Sequence, residues 1–132
     1  MTAIQVDWGD YEETVILMSI RGTWTAKNFY DAMDDMVTKS QGTNASLELM
    51  VDLRNSLKPP ANIMTMIRTV LNRSLPERIE QVVVIASTSF WERMYNMVDK
   101  MFGSQIPIEV TFVDNVDDAY SRLYAFQENT AS

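Results

Sequence analysis

The chain has 132 residues, of which 46% are hydrophobic and 22% are charged, so it is long enough for one globular domain with a substantial core. Its net charge of −7 and its pI near 4.4 argue against nucleic acid as a partner, because an acidic surface repels phosphate backbones. The sequence contains no histidine and no cysteine, which excludes Ser-His-Asp and Cys-His nucleophile pairs, most zinc sites and disulfides.

The first part of the chain predicts a β-hairpin followed by a helix. Residues 2–7 alternate weakly between apolar and polar side chains, and residues 14–20 are rich in β-formers, so the two segments predict an antiparallel pair of strands. Gly22 is expected to end the second strand. Thr25 is suited to cap a helix that runs to about Lys39. The apolar positions of this helix are Phe29, Met33, Met36 and Val37.

The rest of the chain predicts alternating strands and helices. Short apolar runs at 47–53, 81–87 and 108–113 predict buried strands. Helices are predicted at 62–73, at 89–102, and from a cap at Asp114 or Asn115 to about Phe126. A polar loop that contains Pro59 and Pro60 is expected to join the third strand to the next helix.

This order, β-β-α-β-α-β-α-β-α, predicts an α/β fold in which a mixed, mostly parallel sheet is packed with helices. Residues 1–126 are expected to form a single domain, and residues 127–132 a frayed C-terminal tail. No apolar run approaches the ~18 residues that span a bilayer, and the N-terminus has no signal-peptide pattern. We therefore expect a cytoplasmic protein without a transmembrane segment.

Polar side chains gather just after the third predicted strand, where Asp52 is followed by the predicted loop and helix. In open α/β sheets, ligands bind beyond the carboxyl ends of the strands. The candidate binding residues are Arg54, Asn55, Ser56, Lys58, Asn62 and Arg68. Residues 54–78 carry a local net charge of +4, so a partner with acidic groups or an anionic lipid headgroup would fit them. The alternative is that these residues are turn formers and a solvated helix face.

The predicted helix at 89–102 is apolar over much of its circumference. One apolar stripe is enough to cover a sheet, and a second stripe lies beside it. That second stripe makes Trp91, Tyr95 and Phe102 candidate interface residues, with core packing as the alternative. No residue pattern indicates a metal or another cofactor, because adjacent acids point apart and no Gly-rich phosphate loop is present.

The element order, with LELMVDLR at 47–54 and IEQVVVIAS at 79–87, resembles the STAS domain family, and more closely its SpoIIAA-like branch, over residues 4–125. The resemblance implies an anti-sigma factor antagonist that is phosphorylated by a kinase-like partner on the serine of an Asp-Ser-x-Gly motif. That serine lies nine residues after the aspartate of the third strand. Counting from Asp52, this chain has Pro60 and Ala61 in place of the Asp-Ser pair, so the phosphorylated residue is not carried over.

Together, the residues and the resemblance predict a non-enzymatic regulatory domain with no catalytic residues. We expect it to bind another protein, such as a regulatory kinase-like factor, and to form a homodimer. An open alternative is a carrier or sensor of a lipid or another apolar small molecule, because Met-rich and Trp-bearing helices could part to hold an acyl chain. An enzyme is the third option, and it would need Asp52, Arg54, Lys58 or a tyrosine in an enclosed cleft.

Overall fold

The computed structural model describes residues 3–42, 46–58, 79–86 and 109–131, together with Thr65, Asn96 and Lys100. Its elements are β1 (Ile4–Trp8), β2 (Val15–Thr23), α1 (Ala26–Gln41), β3 (Leu47–Lys58), β4 (Ile79–Ile85), β5 (Glu109–Val113) and α2 (Val116–Ala131). The predicted helices at 62–73 and 89–102 lie outside the described residues, apart from Thr65, Asn96 and Lys100, which are helical.

The five strands form one sheet in the order β1-β2-β3-β4-β5. β1 is antiparallel to β2, and the other three pairs are parallel. A tight turn makes the hairpin, because the Asp10 carboxylate accepts hydrogen bonds from the backbone N–H of Thr14 at 2.8 Å and of Val15 at 3.0 Å. Glu13 adopts a left-handed backbone in this turn, with φ of 58°. The predicted α/β fold with a mixed, mostly parallel sheet is confirmed.

α1 and α2 pack on opposite faces of the sheet, since they contact strand residues of alternate positions, whose side chains point to opposite faces. On the α1 face, Met33 and Met36 of the helix pack against strand residues that include Ile16, Met18 and Leu49. On the α2 face, Ala119 and Leu123 pack against Val15, Met50, Val83 and Ile85. Three polar side chains are also buried among the described residues: Ser40 on α1, and Glu48 and Gln81, which are register partners on β3 and β4.

Two strands run further than the sequence predicts. β2 passes through Gly22, which has φ of +60°, and continues to Thr23, so the prediction that Gly22 ends the strand is wrong. β3 continues to Lys58, so the prediction that a loop starts at Arg54 is also wrong. The two extensions pair with each other after shifts in register. Backbone pairing therefore holds these polar residues in strand conformation without an apolar pattern.

The N-terminal caps of α1 and α2 agree with the prediction, whereas the C-terminal end of α2 does not. Thr25 caps α1 with a capping box, in which its side chain accepts from the Asn28 N–H and Asn28 bonds back to the Thr25 N–H. Asn115 caps α2, since its side-chain oxygen accepts from the Asp118 N–H at 2.8 Å. α2 continues to Ala131, so the predicted end of this helix near Phe126 is wrong; no glycine or proline interrupts residues 127–131.

Candidate functional site

An ion pair on β3 is held by three hydrogen bonds. Arg54 donates from Nε to Asp52 Oδ1 at 3.0 Å and from Nη2 to Oδ2 at 2.8 Å, and its backbone N–H also donates to Oδ1 at 3.0 Å. Positions two apart on a strand share a face, which lets the guanidinium donate one hydrogen bond to each carboxylate oxygen. The Asp52 side chain is 13% exposed and that of Arg54 is 39% exposed. The pair therefore holds a cationic group in one orientation at the surface.

Both members of the pair are charged at neutral pH. The pKa of Asp52 is lowered chiefly by the hydrogen bond from the Arg54 side chain; burial opposes this, and the Arg54 backbone N–H and the positive charges of Arg54 and Arg21 lower it further. The pKa of Arg54 is raised by the same side-chain hydrogen bond. Arg21 lies on the neighbouring strand, where its register partner is Asn55. We call the group formed by Arg21, Asp52, Arg54 and Asn55 the Arg54 surface; it has one more positive than negative charge.

The hydroxyl group of Ser56 is hydrogen-bonded to Trp24, a residue that was not identified from the sequence. Trp24 is 3% exposed, and its indole N–H donates to Ser56 Oγ at 3.0 Å. The Trp24 ring lies 5.9 Å from the Phe29 ring, centroid to centroid. Trp24 directly precedes the helix cap Thr25, and Phe29 follows four positions after that cap. This spacing is a hydrophobic staple, the sequence signal that could have identified Trp24 as a fixed neighbour of the site.

The structure gathers only some of the predicted binding residues. Arg54 and Asn55 are exposed and Ser56 is half-buried, all on β3, while the backbone of Lys58 pairs with that of Thr23. The remaining predicted binding and interface residues lie outside the described residues; they are Asn62, Arg68, Trp91, Tyr95 and Phe102.

A second polar region lies at the carboxyl end of β5. A cavity of about 370 Å³ opens there, lined by Val113, Asp114, Asp118, Ser121 and Arg122. Asp118 is already engaged by Asn115 in the helix cap.

Across the described segments, no three carboxylates come close enough together to hold a metal ion. In the same part of the chain, neither helix has the length and apolar character that crossing a bilayer requires.

This architecture is a SpoIIAA-like fold, as the resemblance of the sequence predicts. The structure superimposes on that of an uncharacterized protein of the DUF3478 family with a SpoIIAA-like fold from Shewanella loihica PV-4, with a TM-score of 0.64, 14% sequence identity and coverage of 92% of each chain. It also superimposes on an anti-sigma factor antagonist from Mycobacterium paratuberculosis, with a TM-score of 0.55 and 17% identity, over 92% of this chain and 94% of the other. No protein-family model and no curated protein matches the sequence.

Proposed function

We propose that this chain is a non-enzymatic regulatory domain of the cytoplasm that binds another protein through the Arg54 surface. The observation that carries the proposal is the two-point ion pair between Arg54 and Asp52, which presents a fixed, partly exposed guanidinium, with Arg21 on the neighbouring strand. A guanidinium that is already oriented loses less conformational freedom on binding than a mobile side chain does. Arginine is also enriched among the residues that dominate protein interfaces.

The charge of this surface indicates the chemistry of the partner. The chain as a whole carries −7, whereas the Arg54 surface has an excess of positive charge, so a partner with a carboxylate near the contact would be steered toward this patch. The fold supports a protein as the partner, because an anti-sigma factor antagonist has the same fold. A regulatory factor of the kinase-like type is therefore the partner that we infer.

The mode of regulation differs from phosphorylation at the family's serine position. This chain has Ala61 there, and Ser56, the serine on β3, accepts the indole N–H of a buried tryptophan. We infer that the domain binds its partner constitutively, and that the amount of the partner or the occupancy of another surface controls the complex.

The test is a binding measurement with a partner that has been isolated by affinity capture and then purified. Arg54→Ala should weaken the complex roughly tenfold, as expected for an interface arginine of average importance. Arg122→Ala is the matched control, because it removes an exposed cation on α2 that is not part of the Arg54 surface. Equal affinities of wild type and Arg54→Ala would contradict the proposal. A lipid that co-purifies in native mass spectrometry would favour the apolar-carrier alternative instead.

We also propose a homodimer, which rests on the sequence pattern around Trp91. An apolar stripe that is not needed for the core is buried most simply against a second copy. Light scattering should give the mass of a dimer for the wild type and a mass shifted toward the monomer for Trp91→Glu. Trp91→Phe retains the apolar character and should remain a dimer. A monomeric wild type would contradict this part of the proposal.

A further inference from the structure

One of the two edges of the described sheet is formed by β1, whose one strand neighbour there is β2. Arg21 N–H donates to the Ala3 carbonyl oxygen at 2.8 Å, and Gly9 N–H donates to the Val15 carbonyl oxygen at 2.6 Å, which fixes the alternation of the ladder. By that alternation Gln5 and Asp7 bond to β2. The N–H and C=O groups of the even-numbered residues point away from the sheet; these residues are Ile4, Val6 and Trp8.

This edge lacks most of the devices that keep sheet edges from pairing. Edge strands are commonly protected by lysine, proline or a bulge. β1 has the sequence IQVDW, and its register with β2 is unbroken over all five residues. Asp7 is its one charged residue, and that charge is negative. The edge therefore offers a regular row of backbone donors and acceptors to an added strand.

A groove with an acidic rim runs along the same edge. It has a volume of about 180 Å³ and lies between β1 and the outer side of α1. Ile4, Val6 and Ala32 contribute apolar lining, and Asp31 and Asp35 contribute carboxylates. Both aspartates are exposed. Asp31 is paired with Lys27 at 2.9 Å, but both side chains of this pair are more than half exposed, so a partner's cation could displace the lysine at little cost.

The spacing of the groove fits an extended chain with alternating basic residues. Asp31 and Asp35 are four positions apart, which is about 6 Å along a helix. Side chains on one face of a strand repeat every ~6.6 Å. Lysine or arginine residues at alternate positions of an added strand would thus reach both carboxylates, with their aliphatic stems lying over Ala32 and Val6.

We propose that the β1 edge binds an extended, basic segment of a partner protein, which adds to the sheet as a further strand. A second copy of this chain fits less well, because pairing β1 with its own copy would bring two acidic edges together. This surface is separate from the Arg54 surface, and its test does not depend on the proposed function.

The probe is the capped peptide Lys-Val-Lys-Val-Lys-Val, added to ¹⁵N-labelled protein at low salt. Binding should shift the amide resonances of Ile4, Val6 and Trp8 and slow their hydrogen exchange, because these three amides acquire acceptors. The double variant Asp31→Asn/Asp35→Asn should bind roughly fivefold more weakly, as expected for two surface ion pairs. Asp34→Asn is the matched control, because Asp34 is exposed on the same helix but does not line the groove.

Two further peptides separate strand addition from charge attraction alone. Glu-Val-Glu-Val-Glu-Val reverses the charge, and Lys-Val-Lys-Pro-Lys-Val retains it but interrupts the strand; both should bind several-fold more weakly than the first peptide. Equal binding of either peptide would overturn the proposal. So would unchanged β1 amides, or protection of these amides that grows with protein concentration in the absence of peptide, since that would show a second copy as the occupant.

Discussion

The Tyr120 hydroxyl on α2 donates a hydrogen bond to the carbonyl oxygen of Gly9, 2.5 Å away, across a sequence separation of 111 residues. Gly9 lies at the end of β1, and a Cβ atom added there would come within 3.1 Å of Val15 Cγ1, so the turn leaves little room for another residue. The pKa of Tyr120 is raised, chiefly by burial and further by Tyr124 and Asp10, so the phenol remains a donor at neutral pH. The last helix is thereby tied to the first hairpin.

Tyr120→Phe should lower the free energy of unfolding by about 1 kcal/mol, because the Gly9 carbonyl loses its donor while the ring remains in place. Urea unfolding measures the change. Tyr124→Phe is the control: its ring stacks on that of Tyr120 at 6.0 Å, but the residue is exposed, so removal of its hydroxyl should change stability by less than about 0.5 kcal/mol. Equal losses in both variants would show that the Gly9 hydrogen bond contributes nothing.

Gly22→Ala should destabilise the protein by about 1 kcal/mol although no atom lies within 4 Å of the added Cβ position. The cost comes from the backbone, because φ at Gly22 is +60°, a conformation that residues with a Cβ disfavour. Gly42→Ala is the paired test. Gly42 has φ of −81°, so alanine there should be neutral or slightly stabilising. The melting temperature should therefore fall for Gly22→Ala and stay the same or rise slightly for Gly42→Ala, and a loss at Gly42 as large as that at Gly22 would contradict the backbone explanation.

Ser56→Ala should cost about 1–2 kcal/mol, because it leaves the buried indole N–H of Trp24 without its acceptor. Asn55→Ala, one position away and exposed, should change stability by less than about 0.5 kcal/mol. A double-mutant cycle with Trp24→Phe isolates the hydrogen bond, since Ser56→Ala should cost much less once the donor has been removed. An unchanged cost in the Trp24→Phe background would mean that Ser56 acts by another contact.

The ion pair between Asp52 and Arg54 should make stability depend on pH in the acidic range. In the folded protein the pKa of Asp52 lies below its ordinary value of 3.8, so between the lowered pKa and 3.8 the folded state holds fewer protons than the unfolded state. The stabilisation is complete above 3.8 and is lost as the pH falls through the lowered pKa. Arg54→Gln should raise the pKa of Asp52 and flatten this dependence, as followed by NMR titration of the Asp52 carboxyl carbon.

The control for the titration is Lys27→Gln, which breaks the exposed ion pair with Asp31 on α1. It should leave the titration of Asp52 unchanged because the two pairs share no residue. If Arg54→Gln also left that titration unchanged, the side-chain hydrogen bond from Arg54 would not be the main cause of the lowered pKa.

The sequence predicted correctly those elements whose signal lies within a few neighbouring residues. The Thr25 cap follows from a polar residue placed before an apolar helical pattern, and the buried strands follow from apolar runs such as 47–53. The extension of β3 to Lys58 could not be predicted in this way. Its last residues are polar, and they are held in the sheet by pairing with residues beyond Gly22, which is information about the partner strand.

The candidate site was predicted in composition but not in conformation. Arg54 and Asn55 were proposed as binding residues from a position after a buried strand, whereas they lie within β3, where both are exposed. The sequence could not show that Asp52 would fix Arg54, because the pairing requires both residues to remain on one strand face. Nor does the hydrogen bond between Trp24 and Ser56 follow from the sequence, since it joins residues that are 32 positions apart.

The strands stand in the sheet in the same order in which they occur along the chain. During synthesis, each new strand therefore meets an exposed edge that its immediate predecessor has just formed, and the sheet grows outward from the hairpin in one direction. The hydrogen bond from Tyr120 to Gly9 joins the beginning of this order to its end, because the residue with the acceptor is synthesised early and the residue with the donor late. In the part of the chain that the structure describes, α2 is the helix that packs against Val15 and Met50, so this packing and the bond to Gly9 form only after all five strands have been synthesised.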